Sequence, residues 1–380
     1  MQYSLSEDNR QWLEATWEKI QKKMSTECDR IGTNIPYIPE DGKYTDMGQK
    51  DIYGWTNGFW PGMLWQMYNA TGEEKYKTTA EGVEERLDTA LEGFIELHHD
   101  VGFMWLHSAV ADYRLTGNDK SRVRGMHAAN ILAGRYNPLG QFIRAWNSQD
   151  GNERTGWIII DCLMNIPLLY WATEQNGDPR FKAIAMNHAD TMLKKVLRGD
   201  SSSNHIVILD PLTGEFLDNP GGQGYESGSS WSRGQAWAIY GMALSYKHTG
   251  KIEYLDAAKK VAHYFIANVA TTEYIPLVDF RAPAEPVLYD TTAGVCAACG
   301  MLEIANAVGE YEKPLYIKAA LQILKATDKK HCNWNPDEDA IVGCGTSAYH
   351  GKDKEVPIIY GDYFFIEGIL RLLDKDFLIW

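Results

Sequence analysis

Two kinds of apolar pattern alternate along the chain and predict two kinds of helix. In the first kind, apolar residues recur at every third or fourth position with charged residues between them, as at 251–269 and 314–327. In the second kind, apolar and small residues fill the segment almost without charge, as at 56–68, 158–172, 234–246 and 292–308. The first pattern is typical of helices exposed on one side, and the second of helices buried all round. We therefore expect an outer and an inner set of helices.

Glycines separate these segments at fairly regular distances. Gly72, Gly117, Gly177, Gly250 and Gly309 follow one another at intervals of 45, 60, 73 and 59 residues, and four of them have an acidic residue one or two positions later. A glycine after a helix supplies a left-handed C-terminal cap, and an acidic residue favours the start of the next helix. The repeating unit is therefore predicted to be a helical hairpin. Five or more such hairpins predict a toroid with one continuous core, with an open solenoid as the alternative.

Length and composition favour a single all-α domain. The 380 residues are 44% hydrophobic and 23% charged, as in ordinary globular proteins, and no Pro/Ser-rich linker divides them. The strand-like stretch 205–210 and the segment 274–288 are predicted to be small β excursions at one end of the molecule. We expect one catalytic domain over residues 1–380.

The charge balance limits the partners of this chain. Its net charge of −14, without a Lys/Arg cluster, argues against nucleic acid, because phosphate binding needs a basic patch. The first residues lack the basic start and apolar core of a secretory signal, and no uninterrupted apolar segment reaches membrane-spanning length. Six cysteines are few for this length, and most stand in contexts that suit free thiols. These features predict a cytoplasmic protein that binds neither nucleic acid nor a membrane.

Motifs for common cofactors and metals are missing or incomplete. The sequence has no phosphate-binding Gly-x-x-x-x-Gly-Lys-Ser/Thr loop, no Gly-x-Gly-x-x-Gly fingerprint after a strand and no Gly-x-Ser-x-Gly elbow. The pair Cys296 and Cys299 forms one half of a zinc pattern, with Cys332 and Cys344 as candidate partners, but no matching second pair occurs. His98 and His99 do not belong to a His-Glu-x-x-His motif. We predict no metal and no cofactor.

Two aspartates stand in unusually apolar surroundings. Asp161 lies inside the run 157–169, and Asp100 follows His98 and His99 directly before an apolar aromatic stretch. Burial disfavours an ionised carboxylate and raises its pKa, so such a group can donate a proton near neutral pH. A pair in one cavity would also divide the roles, since one carboxyl can keep its proton while the other ionises. The alternative for Asp161 is a helix cap that is satisfied by backbone N–H groups.

A loop rich in glycine, aromatic and amide residues, 221–237, is typical of a sugar-binding site. Tryptophan rings cover the apolar face of a sugar, amides bond its hydroxyl groups, and Arg233 could hold a carboxylate with two hydrogen bonds. The alternative is an ordinary glycine-rich loop with core tryptophans. His205 follows the polar loop 199–204 and is predicted to point into the same pocket, with a structural histidine as the alternative.

Three phrases together resemble the unsaturated glucuronyl hydrolases of glycoside hydrolase family 88. They are His98-His99-Asp100-Val-Gly-Phe, Ile158-Ile-Ile-Asp161-Cys-Leu and Trp231-Ser-Arg233-Gly-Gln-Ala-Trp237, and the similarity extends over nearly the whole chain. The resemblance implies an (α/α)6 toroid of six helical hairpins. It also implies an enzyme that hydrates the 4,5 double bond of a terminal unsaturated uronic acid on oligosaccharides left by polysaccharide lyases. The hemiketal formed then opens and releases the neighbouring sugar and a 5-keto-4-deoxyuronate.

The resemblance also assigns roles to individual residues. Asp161 is implied to be the acid that protonates C4 and activates the water that adds at C5, and Asp100 to hold and tune this centre. The implied substrate-binding residues are His99, His205, Gln223, Arg233, Trp55, Trp146, Trp237 and Tyr349, joined by Ser347 and Lys352 from a sulfate-related phrase. Family members that accept sulfated disaccharides carry Ser-x-x-Ser-x-Lys, and here Ser347-Ala-Tyr-His350-Gly-Lys352 keeps only the first and last residues.

Other functions remain open beside this one. The unsaturated rhamnogalacturonyl hydrolases of family 105 share the toroid and the second aspartate, but the His-His-Asp phrase favours substrates from glycosaminoglycans over pectin. A sugar 2-epimerase on the same toroid would use histidine bases on a free reducing sugar. A non-catalytic toroid would need only the aromatic residues. We expect unsaturated uronate oligosaccharides as the ligand, and a monomer or weak homo-oligomer.

Overall fold

Fifteen α-helices make up most of the structure described by the computed structural model, which covers residues 3, 5–149, 151–377 and 379–380. They are α1 (Glu7–Ile31), α2 (Met47–Lys50), α3 (Phe59–Thr71), α4 (Glu74–Gly93), α5 (Val101–Trp105), α6 (Ala111–Thr116), α7 (Asp119–Ala133), α8 (Cys162–Asn165), α9 (Pro167–Asn176), α10 (Pro179–Lys195), α11 (Ser232–Thr249), α12 (Ile252–Val269), α13 (Thr291–Ala307), α14 (Lys313–His331) and α15 (Ile359–Leu372). A π-helical turn, Leu106–Val110, joins α5 to α6, and 3-10 turns occupy Trp55–Gly58 and Ala270–Thr272.

These helices form two concentric rings. Within the described residues, the inner ring consists of α3, α5 with α6, α8 with α9, α11, α13 and α15, and the outer ring of α1, α4, α7, α10, α12 and α14. All fourteen residues of α15 and fifteen of the seventeen in α13 are buried, whereas α4 and α12 bury only one side. Because α15 packs against both α13 and α3, the inner ring closes. The predicted all-α (α/α)6 toroid is confirmed, and the open solenoid is wrong.

Four of the five predicted glycine caps end helices in the expected way. Gly72, Gly117, Gly177 and Gly250 have φ angles of 73°, 75°, 73° and 71°, the left-handed conformation that glycine adopts without steric cost. The fifth position differs, because α13 ends at the extended residue Val308 and Gly309 does not take a left-handed conformation. The hairpin boundaries were therefore readable from local sequence.

One predicted inner helix is wrong at its start. The segment 158–172 begins as strand β3 (Trp157–Ile159) and continues as two short helices, α8 and α9, with Pro167 in the first turn of α9. The β-branched Ile158 and Ile159 suit a strand, and Pro167 lacks the N–H that a continuous helix would need at that point. As a consequence, Asp161 lies at a turn between a strand and a helix.

The few strands lie in two small antiparallel sheets. Strands β1 (Tyr136–Asn137) and β2 (Phe142–Ile143) form a hairpin, and β3 pairs with β4 (Ile206–Leu209), which pairs in turn with β5 (Phe216–Asp218). The strand predicted at 205–210 is thus confirmed. The segment 274–288 makes only isolated bridges to Trp231 and Tyr289.

The apolar core is continuous around the toroid. Buried hydrophobic residues form one cluster that runs from Leu13 on α1 to Trp380, and Trp380 packs among rings of the inner helices. Among the described residues, none of the helices combines the length and the hydropathy of a membrane-spanning segment. A single catalytic domain over 1–380 stays a prediction, which the continuous cluster supports.

Candidate active site

A cavity of about 220 Å³ opens where several inner helices begin. Its wall contains seven of the residues singled out from the sequence, namely Asp100, Asp161, Gln223, Arg233, Trp55, Trp146 and Trp237, together with His98, Ile159 and Trp231. A larger groove of about 1080 Å³ lies beside α7, and neither aspartate belongs to its wall. The smaller cavity is therefore the candidate active site.

The two aspartates meet because two inner helices approach each other very closely. Asp100 directly precedes α5 and Asp161 directly precedes α8. A Cβ atom on Gly102 would lie only 2.4 Å from the Cα atom of Asn165, so the contact between these helices requires glycine at that position. The glycine of the His-His-Asp-Val-Gly phrase thus lets the starts of the two helices lie side by side.

His99 lies between the two carboxylates. Its Nε2 atom is 3.0 Å from Oδ1 of Asp161 and 3.2 Å from Oδ1 of Asp100. Asn165 adds a second link, since its amide nitrogen donates to Oδ1 of Asp100 at 3.2 Å and to the backbone carbonyl of Asp161 at 3.2 Å. The Asn165 oxygen in turn accepts from the backbone N–H of Phe103 at 2.8 Å. One imidazole and one amide therefore hold both acids in place.

The deeper of the two acids is Asp100. Burial raises the pKa of the Asp100 carboxyl to about 7; nearby His99 works in the opposite direction, and Asp161 adds to the rise. The sequence had assigned the raised carboxyl pKa to Asp161, because the run around it is apolar. In the structure, the side chain of Asp161 is 14% exposed against 8% for Asp100, since the turn after β3 directs it into the cavity. The apolar neighbours of Asp161 face the core instead.

The expectation that His99 contacts the substrate needs correction. Its ring is fully buried, does not belong to the cavity wall and is bonded on both sides by protein oxygens. The neighbouring His98 lines the cavity instead, and burial together with His99 lowers the pKa of His98 to about 2. Sequence could not choose between two adjacent histidines, because the choice depends on which way the loop faces.

The grip of Arg233 on a substrate carboxylate stays a prediction, and the structure shows that the guanidinium already bonds several protein oxygens. The guanidinium is buried, and Nη1 donates to Asp290 at 2.5 Å and to the carbonyl of Thr346 at 2.7 Å. Nη2 donates to the carbonyl of Ser347 at 2.6 Å, and the group stacks 4.5 Å from the centre of the Trp231 ring. Arg233 does line the cavity, but its carboxylate partner is Asp290. It therefore anchors the loop at 346–347 beside the cavity.

His205 lies just behind the cavity wall, with its ring 4.2 Å from that of Trp231. Its Nδ1 atom accepts from the backbone N–H of Gln223 at 2.9 Å and lies 3.3 Å from the carbonyl oxygen of Gly221. The shorter contact, in which Nδ1 accepts, favours the tautomer with the proton on Nε2. Burial lowers the pKa of His205 to about 4, so the ring is neutral at physiological pH. The Nε2 atom is buried and has no hydrogen-bond partner among the described residues. An unsatisfied donor of this kind suits a ligand oxygen.

Three further predicted residues lie outside the cavity wall. Ser347 contributes its carbonyl, which accepts from Gln223 at 2.6 Å, while its hydroxyl donates to the carbonyl of Asp353 at 3.1 Å. Tyr349 is buried against Tyr225, with 5.0 Å between ring centres. Lys352 is exposed to solvent. The structure thus places these three beside the site rather than in it.

Some participants were not selected from the sequence. Ile159 lines the cavity, and Asn165 bonds the carboxylate of Asp100 and the backbone carbonyl of Asp161. A signal for Asn165 did exist, because it follows Asp161 by four residues, the spacing of neighbours on a helix face. No such signal pointed to Ile159, since an isoleucine that lines a cavity cannot be told from a core isoleucine when both lie in an apolar run.

The donor atoms of His98, His99 and Asp100 lie within 4.8 Å of one another and could in principle surround a cation. Both ring nitrogens of His99 already face protein oxygens, however, so this ring has no free atom for a metal. The Cys296 and Cys299 thiols are fully buried, and burial raises the pKa of each well above its usual range, which disfavours the thiolate that zinc requires. Neither the cluster of His98, His99 and Asp100 nor the pair of cysteines therefore has its side chains in the state that metal coordination requires.

Comparison with known proteins agrees with this geometry. Residues 28–272 match the model of Glycosyl Hydrolase Family 88. The chain is 36% identical over 351 residues to the unsaturated glucuronyl hydrolase of Bacillus sp. (strain GL1), covering 90% of this chain and 92% of that one. A crystal structure of unsaturated glucuronyl hydrolase from Streptococcus agalactiae matches with a TM-score of 0.90 at 32% identity, covering 99% and 94% of the two chains. A variant of that enzyme in complex with dGlcA-GalNAc6S matches with a TM-score of 0.83 at 30% identity, covering 97% and 93%.

Proposed function

The chain belongs to Glycosyl Hydrolase Family 88, and on this basis we propose that it hydrates the 4,5 double bond of a terminal unsaturated uronic acid. The substrates are oligosaccharides left by polysaccharide lyases, and glycosaminoglycan-type disaccharides are the favoured class. The observation that carries the proposal is the meeting of Asp100 and Asp161 across one imidazole in a cavity walled by tryptophans. A pure binding site would not need two linked acids.

Asp161 performs the chemistry in this proposal. As an acid it delivers a proton to C4 of the uronate, which leaves an oxocarbenium ion at C5. As a carboxylate it then accepts a proton from the water that attacks C5, so that H and OH have added across the double bond. The hemiketal opens and releases the neighbouring sugar. Because attack occurs at C5, the carboxylate spacing that distinguishes retaining from inverting glycosidases does not apply.

The remaining cavity residues hold the ring in place. The volume of about 220 Å³ lies below the roughly 300 Å³ at which pockets begin to enclose drug-sized ligands, so one sugar ring fits and the rest of the chain leaves by the mouth. Trp55, Trp146 and Trp237 supply flat apolar faces for that ring. The side-chain oxygen of Gln223 is an acceptor for a hydroxyl group, and the unsatisfied Nε2–H of His205, just behind the cavity wall, is a donor for an oxygen of the substrate.

A panel of unsaturated disaccharides tests this function directly. We expect the absorbance of the conjugated uronate to disappear with disaccharides derived from chondroitin, hyaluronan or heparin, and much more slowly with those from rhamnogalacturonan. Hydration removes the conjugation between the double bond and the carboxylate, so the absorbance follows the reaction itself. If no disaccharide loses its absorbance, the hydrolase function is wrong and a sugar-binding toroid replaces it.

Sulfate recognition is expected to involve Arg154, which packs beside Trp146 of the cavity wall. Its guanidinium lies 5.9 Å from the ring centre of Trp146 and 5.7 Å from that of Trp157, and no acidic partner for it occurs among the described residues. Trp146 lines the cavity, so an anionic group on the second sugar can reach this cation. One half-exposed charge contact is worth about 1 kcal/mol, or roughly fivefold in binding.

The matched variants are Arg154→Ala and Lys352→Ala. We expect R154A to raise KM about fivefold for a sulfated disaccharide and to leave KM for the unsulfated one unchanged, whereas K352A has little effect because Lys352 lies outside the cavity wall. Steady-state kinetics with the two disaccharides decide the matter. If K352A instead raises KM for the sulfated disaccharide and R154A does not, sulfate recognition belongs to the segment from Ser347 to Lys352.

The location and assembly of this enzyme stay predictions. All six cysteines are free thiols, which supports a reducing, cytoplasmic environment. A monomer or weak homo-oligomer remains our expectation, and its mass in solution would test it.

A further inference from the structure

The surroundings of the His99 ring restrict where its protons lie. Nδ1 is 3.0 Å from the carbonyl oxygen of Ala145, which also accepts a hydrogen bond from Arg135 at 2.7 Å. A carbonyl oxygen can only accept, so Nδ1 must carry a proton. Nε2 faces nothing but carboxylate oxygens, those of Asp161 and Asp100. A further proton therefore has to lie between Nε2 and these two acids, since bare lone pairs at 3.0 Å would repel one another.

We propose that His99 is a positioning residue that stores the proton which Asp161 delivers to the substrate. In the resting enzyme His99 is an imidazolium, with Nδ1–H donating to Ala145 and Nε2–H donating to the carboxylates. This inference rests on the proposed hydration of an unsaturated uronate. A proton held on His99 explains how Asp161, the more exposed of the two acids, can act as a proton donor without depending on apolar burial.

The protons balance over one turnover. The Nε2 proton of His99 passes to Asp161 across the 3.0 Å hydrogen bond, and Asp161 passes it to C4 of the substrate. Asp161 then takes a proton from the water that adds at C5 and returns it to Nε2. The net change is the addition of one water molecule, and the Asp100, His99 and Asp161 group ends in its starting state.

The charges around His99 favour the imidazolium. Burial alone lowers the pKa of His99, but the charges of Asp100 and Asp161 outweigh it, so the pKa is raised. Arg135 opposes this from beyond Ala145, and His98 stacks on the ring at 5.0 Å but is itself neutral. The two carboxylates are thus the nearest charges to the ring.

His188 on α10 is as deeply buried as His99 and serves as the residue for comparison. It is fully buried, and its Nδ1 atom accepts from the backbone N–H of Ile143 at 3.0 Å. Burial lowers the pKa of His188 to about 3, so this ring stays neutral. The two histidines share burial and differ in what their nitrogens face.

The first test replaces His99 by glutamine, whose amide can still donate to both carboxylates but cannot release a proton. We expect H99Q to lose at least ~10²-fold in kcat at neutral pH. Asp161 must then take its proton from solvent, so kcat/KM of H99Q should rise as the pH is lowered, a slope that the wild type lacks. His188→Gln, the control, keeps wild-type activity and its pH profile. An H99Q profile parallel to that of the wild type would overturn the proposal.

The second test needs no variant. In wild-type enzyme labelled with nitrogen-15 at histidine, we expect one ring, assigned by its loss in H99Q, to show two protonated nitrogens between pH 6 and 8. His188 should show one protonated and one bare nitrogen. A neutral His99 ring in this range would overturn the stored proton. The result is independent of turnover, so failure of the disaccharide panel would reject the proposed substrate without deciding the state of His99.

Discussion

Replacement of Asp161 by asparagine is expected to lower turnover of an unsaturated disaccharide at least ~10²-fold, because the amide can neither donate a proton to C4 nor accept one from water. The fold should survive, since asparagine has the same shape and Asp161 is partly exposed to the cavity. Loss of uronate absorbance measures the rate, and thermal unfolding measures the fold. Near-normal turnover in D161N would exclude acid catalysis by this residue.

Two further variants sharpen this result. Asp178→Asn is the matched control, because Asp178 caps α10 at the surface and asparagine caps a helix equally well, so its turnover should be unchanged.

Asp100→Asn should also lose at least ~10²-fold in turnover. Its unfolding free energy relative to that of the wild type, however, should be higher at pH 8 than at pH 5. The reason is that Asp100 has a pKa of about 7 in the fold, above its usual value near 4.

The sign of this effect follows from proton linkage. The folded state holds the proton of Asp100 more tightly than the unfolded state, so the contribution of Asp100 to stability falls as the pH rises from about 4 to about 7. Asparagine does not titrate and escapes this loss. Unfolding in urea at pH 5 and pH 8 measures the difference. A D100N enzyme that loses relative stability at pH 8 would contradict the raised pKa.

Replacement of Arg233 by methionine is expected to cost about 3–5 kcal/mol of unfolding free energy, since it leaves the carboxylate of Asp290 buried without its partner. Both side chains are at most 1% exposed, so water cannot replace the lost interaction. The carbonyls of Thr346 and Ser347 lose their donors as well. Urea unfolding of the purified variant is the measurement.

The double variant Arg233→Met with Asp290→Asn separates structure from substrate binding. It removes the unpaired charge and should recover a large part of the lost stability. A direct grip of Arg233 on the substrate carboxylate predicts something different, namely a raised KM in R233M with little change in unfolding free energy. That outcome would support the grip on a substrate carboxylate that the chemistry of the 221–237 loop predicts for Arg233.

Much of the fold was readable because its signals are local. The alternation of charged and uncharged helices predicted the two rings, and Gly72, Gly117, Gly177 and Gly250 marked the ends of helices by a conformation that glycine adopts freely. The start of the 158–172 segment was misjudged because apolar runs of isoleucine suit a buried strand as well as a helix. Only the pairing of β3 with β4, about fifty residues away, decides between them.

The sequence by itself determined the helical hairpins and the pair of acids, because capping, periodicity and an isolated carboxylate depend on residues close in the chain. The tertiary structure alone decided that Asp100 is the deeper acid, that His98 rather than His99 lines the cavity and that Arg233 pairs with Asp290. The contacts responsible join residues 62 and 57 positions apart, His99 to Asp161 and Arg233 to Asp290. The proton affinity of a side chain depends on the burial and charges that surround it in space, and for these residues distant segments supply them.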